Sequence, residues 1–367
     1  TAERNLAVGG TALDALTTGD DNVGVGYNAL TANTTGPYNT ALGSGALQSN
    51  TSGDANTASG YYALATNTTG RLNTGYGYRT LTSNTSGEAN VAMGHQALFT
   101  NTTGNFNIGI GNNALEKNTT GYANTMVGFE AGRTNTTGYQ NTVVGYEVLE
   151  LNTTGFNNAA FGYRTLASST TGTANIAVGN WALTANTTGW GNAAIGHNAL
   201  SSNLVGRNNT AVGYNASSSS NEHANSAFGG FALEDSTSGI GNTAIGYEAL
   251  KENMTGHSNV ALGSAALVTN TTGGSNTAIG AAADVGSNNL SNATAIGNGA
   301  IVAASNTIQL GNTAVTNVKT SGSVTAGAIT IPNTDGSADQ VLKTDGSGVL
   351  SWGAAFDTSQ LQLVTAT

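Results

Sequence analysis

The chain has 367 residues, 52 of them Gly and 2 Pro, and only 8% are charged. The net charge of −10 comes from 20 acidic and 10 basic residues scattered singly, so no basic stripe exists to track a nucleic-acid backbone. Cys is absent, which excludes a disulfide framework and thiolate chemistry.

Soluble domains usually carry about a quarter charged residues and a core of large side chains. Here aromatics are 6%, and much of the 38% hydrophobic fraction is Ala. Such a chain builds a thin core repeated along an axis rather than one thick core. Strict periodicity argues against disorder, because a disordered chain has no need of Gly and Leu at fixed offsets. No run of 18 apolar residues exists, so no membrane insertion is expected. No signal peptide is visible, and the chain, starting inside a repeat, reads as a mature or trimmed product.

The repeat governs everything else. A Gly recurs every 17 residues from Gly9 through Gly26 and Gly179 to Gly213. One residue is dropped before Gly229, and the step resumes to Gly297. Asn stands four residues before most of these glycines (Asn5, Asn22, Asn175, Asn276), and Leu four after (Leu30, Leu98, Leu183, Leu267). A second turn reads N-T-T-G, as at Asn33–Gly36 and Asn186–Gly189. The unit is N-T-A-I-G-Y-x-A-L-x-x-N-T-T-G-x-x.

N-T-A-I-G alternates like a short strand. Its fourth position is large (Val8, Leu42, Ile110, Phe161, Ile245, Ile279) and its second mostly β-branched (Thr40, Val91, Ile108, Ile176, Val260). Both are expected to face the interior, with the later Leu. The third position is small (Ala41, Gly75, Gly109, Ala177, Ala278), as is the Ala at the eighth. These columns are expected to form a second surface approached closely by identical chains, most simply in a homotrimer. Y-x-A-L reads as a second strand. The first Gly supplies positive φ or close approach at a corner, and Asn and Thr of N-T-T-G bond their own backbone. A helical solenoid is discarded, since two Gly per unit cost about 1 kcal/mol each in a helix.

The sequence therefore predicts an all-β parallel solenoid, one 17-residue coil per turn, over residues 1–311 and irregular after 281. At about 4.8 Å per coil, its coils make a rod of roughly 85 Å. Identical positions form ladders, including buried Asn on Asn.

N-T-A-I-G at fixed spacing, over about residues 5–311, resembles the head repeats of trimeric autotransporter adhesins. That resemblance implies a left-handed parallel β-roll with three chains side by side. The N-T-T-G insert departs from the adhesin pattern. The same unit resembles repeats of phage tail-fibre proteins, which implies an extracellular fibre on a virion or cell surface.

Residues 312–367 read as a β-rich trimeric stalk. Ser321–Pro332 alternates like a strand, and Asp339–Trp352 reads as two strands joined at Asp345-Gly346. The segment resembles the stalk that precedes a chaperone in many tail fibres.

No catalytic constellation stands out, so no enzyme activity and no cofactor are expected. His95 and His197 share a column but stand six coils apart, roughly 29 Å, too far to share a metal. The glycines lack the G-x-x-x-x-G-K-[ST] phosphate-loop pattern. Glu147 with Glu150, and Glu234 with Asp235, read as solvated pairs. The N-x-[ST] triplets read as turns and not as glycan acceptors. Aromatics after the first Gly (Tyr27, Tyr61, Tyr78, Phe129, Tyr146, Tyr163, Tyr214, Tyr247) read as corner packing. Tyr122, Tyr139, Phe156 and Trp190, with Tyr38 and Phe106 adjacent, and the variable Trp181, are candidate glycan contacts. Self-stacking is the competing reading for them.

The function expected is a non-enzymatic adhesive shaft of a tail fibre, presenting a surface to a host glycan or protein receptor. A bacterial surface adhesin is the near alternative. Ice binding through Thr ladders such as Thr34, Thr51, Thr68, Thr85, Thr102 and Thr119 is the alternative of another class.

Overall fold

A computed structural model describes residues 2–319, 321, 340–344 and 350–354. The chain forms two compact units, Thr1–Thr316 and Asn317–Thr367. The first is a parallel β-solenoid whose coils follow the 17-residue repeat. Its strands, mostly three residues long, run from Leu6–Val8 to Ile308–Leu310 in one 19-stranded sheet. Each strand pairs in register with its equivalent one coil on, as Ile176↔Ala193, Ala177↔Ala194 and Val178↔Ile195. No helix occurs among the described residues.

The two glycines of the unit act differently. Gly179 closes the strand at φ 130°, a region open only to Gly, and a Cβ there would lie 2.6 Å from the Gly196 carbonyl oxygen. At Gly189 crowding decides: a Cβ would run into Asn186 Oδ1 and the Gly206 oxygen. Where the period drops a residue, the loss falls in the turn at 220–223. There the Glu222 oxygen takes over from the turn glycine and accepts from Asn209 Nδ2 at 2.6 Å. The strands on either side stay in register, Ala211↔Ala227.

Two expectations are corrected. Y-x-A-L is not a strand. Its second and fourth residues have positive φ, as at Trp181 (57°) and Leu183 (50°), so the backbone turns continuously. It still bonds coil to coil: Leu183 N–H donates to the Ala199 oxygen and Ala185 N–H to the Ser201 oxygen. Every second amide is thus satisfied without an extended conformation. A second short sheet forms only where the repeat becomes irregular, pairing Asp284–Val285 with Ile301–Val302.

The interior is also the reverse of the one expected. Ala177, Ala182 and Leu183 are 0% exposed, while Ile176 and Val178 are 49% and 37% exposed. The small third position points inward and the large second and fourth point out. The cause is the width of the coil. Leu, reaching across from the turn side, fills it: a Cβ on Gly24 would lie 3.3 Å from Leu13 Cγ, and one on Gly109 would lie 3.3 Å from Leu98 Cγ. Opposite it the third position is Ala or Gly from Ala7 to Ala295, apart from Met126 and the buried Val143 one coil on. The first exception follows the rule. Where Gly132 replaces Leu, the third strand position is Met126, and its Sδ would lie 2.8 Å from a Cβ on Gly132. The Ala columns are therefore core, not a surface awaiting another chain.

In the second unit, Gln340–Thr344 pairs antiparallel with Leu350–Ala354, with Leu342 opposite Trp352. The expected Asp345-Gly346 turn and, apart from Ser321, the 321–332 strand lie outside the described residues.

Two outcomes follow. Leu183→Ala should cost about 2–5 kcal/mol of stability, and Ala177→Leu about 1–3 kcal/mol through overpacking, both read by chemical denaturation. A neutral Ala177→Leu would contradict the assigned interior. The second concerns Asp284, which takes a Leu-ladder position and is 5% exposed. Burial raises its carboxyl above the usual range, while N–H groups of Val285 (2.8 Å) and Thr269 (3.2 Å) pull the other way. The folded chain favours the neutral acid. That contribution is complete below the ordinary Asp pKa of about 3.9 and is lost as pH rises through the raised folded value. Asp284→Asn should therefore raise the unfolding midpoint at pH 7, with the gain vanishing in acid.

Candidate functional site

The surface is set by what the interior leaves over. Each coil puts one residue of each column on the outside, and neighbours in a column lie one coil apart. Opposite charges use this spacing: Arg133 pairs with Glu150 at 2.6 Å, Arg164 with Glu147 at 3.2 Å, and Lys251 with Glu234 at 3.8 Å. Of the carboxylates read as solvated pairs, Glu147, Glu150 and Glu234 thus face cations of adjacent coils. Glu147 also holds the Tyr146 phenol above its ordinary pKa through a hydrogen bond.

The first threonine of N-T-T-G spends its hydroxyl on the next coil rather than on its own turn. Thr34 Oγ1 donates to the Thr51 oxygen at 3.0 Å, and Thr68 Oγ1 to the Thr85 oxygen at 2.9 Å. The Asn does close its own turn, as Asn33 Nδ2 donates to the Gly36 oxygen at 2.9 Å. Asn33, Asn67, Asn101 and Asn186 are fully buried, so the sequon amides are inaccessible in the fold.

The aromatic candidates fall into three settings. Tyr122, Tyr139 and Phe156 come together, stacked at 4.9 and 4.7 Å with planes 4° apart. Tyr139 is covered on both faces, and Tyr122 and Phe156 on one face each. Trp190 carries the Arg207 guanidinium over its ring at 5.8 Å. Tyr38 and Phe106 stand singly and well exposed, four coils apart, each at positive φ on the last residue of its unit.

Trp181 belongs to neither group. It is part of a ladder that sequence columns alone conceal. Phe129, Tyr146 and Tyr163 stack at 5.0 and 5.2 Å. Trp181 and His197 continue the line at 5.8 and 5.4 Å, followed by Tyr214, Phe231 and Tyr247 at 5.2, 5.3 and 5.8 Å. Where the residue after the first Gly is Asn180 or Gly230, the next residue supplies the ring instead, Trp181 or Phe231. That substitution is the signal that reading single columns overlooks. His197 and Phe231 are ladder members that the sequence columns do not mark.

A different surface is more extensive. The outward rows of the sheet, the second and fourth strand positions, carry no charged residue from Leu6 to Leu310. The fourth row is apolar in every strand except at Ser59, and includes Leu42, Met93, Phe161, Ile195, Phe228 and Ile279, all exposed.

Among the described residues, no three His, Cys, Asp or Glu side chains gather as for a metal ion, and no helix is long and apolar enough to cross a membrane. No protein-family model matches the chain, and no curated protein matches it.

The stacked triad makes one prediction. Tyr139→Ala removes two ring contacts worth about 0.5–1.5 kcal/mol each. Denaturation should show a loss of roughly 1–3 kcal/mol with the fold retained by circular dichroism. An unchanged midpoint would mean that the stack adds no stiffness.

Proposed function

We propose that the chain is a non-enzymatic fibre shaft of a tail-fibre-like protein, self-associated as a homotrimer and holding a receptor-contacting surface away from a virion or cell. The observation that carries this reading is the uncharged outward face of the sheet, with a mainly apolar fourth row running its length. Exposed apolar patches of more than a few hundred Å² mark interaction surfaces. A covering partner must repeat at the same pitch to meet an apolar side chain at every coil, and an identical chain does so. Closed association of identical chains is the usual arrangement of homo-oligomers. Three is the number implied by the resemblance to adhesin heads.

This assigns the seam to the outward strand rows and not to the Ala columns. With those rows joined, the turn side of each coil stays outermost, and the aromatic columns lie there for contact with a glycan or protein receptor. Repetition along the shaft would turn weak contacts into avidity. A bacterial surface adhesin would use the same geometry.

The seam is open to test by charge. The double substitution Val178→Lys with Ile195→Lys places two cations on exposed positions that the interior does not need. Native mass spectrometry should give a trimer for the wild-type chain and monomer for the variant, with the sheet signal in circular dichroism unchanged. A wild-type monomer, or a variant trimer as tight as wild type, would overturn the assignment.

A further inference from the structure

A glycan-contacting shaft leaves open which rings make the contact, and ring orientation decides it. A pyranose stacks its C–H face on the face of an aromatic ring, so a ring whose faces are covered offers nothing. Tyr139 has both faces covered, Tyr122 and Phe156 one face each, and Arg207 lies over one face of Trp190. Trp181 is turned the other way. Its plane is 83° from Tyr163 and 82° from His197, which stack in turn on Tyr146 and Tyr214 at 5.2 Å each. The indole therefore stands edge-on to its ladder neighbours, with its faces clear of both, and is 40% exposed.

Its backbone is held at φ 57°, where a bulky residue costs about 1–2 kcal/mol. The next two coils place Asn198 and Asn215 there, which tolerate this conformation better. Positive φ recurs at this position in the neighbouring coils, as at Glu147 (49°), Arg164 (50°) and Phe231 (60°), so the conformation belongs to the fold. The neighbouring coils complete a patch around the indole. Arg164 precedes it in the column, and Asn198 and Asn215 follow. Asn215 Nδ2 donates to Glu234 at 3.1 Å, while its buried Oδ1 and the buried Nδ1 of His197 have no partner. Phe231 ends the row under the Lys251 ammonium, 5.3 Å from the ring centroid. Arg164 is paired with Glu147 and Lys251 with Glu248, each at 3.2 Å, so the patch holds no unpaired cation for an acidic sugar.

We infer that Trp181 is the stacking platform of a site for a neutral oligosaccharide lying along the shaft, the next sugar bonded through its hydroxyls to Asn198. The coil rise of about 4.8 Å places Asn198 one coil on, a spacing that a pyranose chain can follow. The inference rests on the proposed glycan-contacting role.

The test uses the full chain on an array of neutral hexose and N-acetylhexosamine oligosaccharides alongside sialylated ones. The variants are Trp181→Asn, which installs the residue the next coil already carries and so relieves strain, and a triple Tyr122→Ala, Tyr139→Ala, Phe156→Ala control. Wild type should bind neutral oligosaccharides. Trp181→Asn should weaken the best of them about tenfold or more, as loss of a Trp anchor does, with no drop in unfolding midpoint. The triple variant should bind as wild type does. Equal binding by Trp181→Asn, loss in the triple variant, or preference for sialylated sugars would overturn the site while leaving the glycan role standing. Absence of wild-type binding to any sugar would overturn both.

Discussion

Each coil is fastened to the next by a buried asparagine, and the rest of the molecule depends on that fastening. Asn175 Oδ1 accepts the Asn192 backbone N–H at 3.0 Å, and its Nδ2 donates to the Gly189 oxygen at 2.9 Å. One side chain thus binds the start of its own coil to its end and to the coil above. Such amides are fully buried from Asn22 to Asn276, where leaving them unpaired would cost about 1–3 kcal/mol each. The ladder holds successive coils in register, also across the shortened step where Asn225 N–H donates to Asn209 Oδ1 at 3.0 Å. Where Ala293 replaces Asn, it still donates its N–H to Asn276 Oδ1 at 2.9 Å but passes nothing on, and the next strand follows after 14 residues instead of 17.

That constraint explains what could be read from sequence. Gly179, Asn175 and Asn186 mark the coil because each answers a backbone demand that few residue types can meet. The architecture and its period were legible for this reason. Inside and outside were not. Both faces of the strand carry apolar residues, and size is a misleading guide when the interior is one Leu wide. The pair Gly132 and Met126, which exchange bulk within one coil, held the information: residues that compensate in volume face the same space. The lack of a second strand was hidden because β-like coil-to-coil bonds are made there by residues at positive φ.

The candidate site was legible in its parts but not in its grouping. Tyr122, Tyr139 and Phe156 share a column and stack, as identical positions one coil apart must. Trp181 looked like a variable tip because a column assigns it no aromatic neighbours. Its place in the ladder comes from the shift between adjacent positions at Asn180 and Trp181, a matter of ring position that no single column carries. The same physics separates two settings of aromatic surface: stacked rings lie face to face along the solenoid, and a ring turned across the stack keeps its faces clear of its neighbours.

The shaft reading joins two facts, a core satisfied within one chain and a long apolar face that the chain does not cover itself. The most direct measurement is a cryo-electron-microscopy reconstruction of the purified protein. It should show three solenoids about one axis, with layers about 4.8 Å apart, the Ile176 and Val178 rows turned toward the axis and the Trp181 ladder outside. Single solenoids with the Ile176 and Val178 rows in solvent would contradict it.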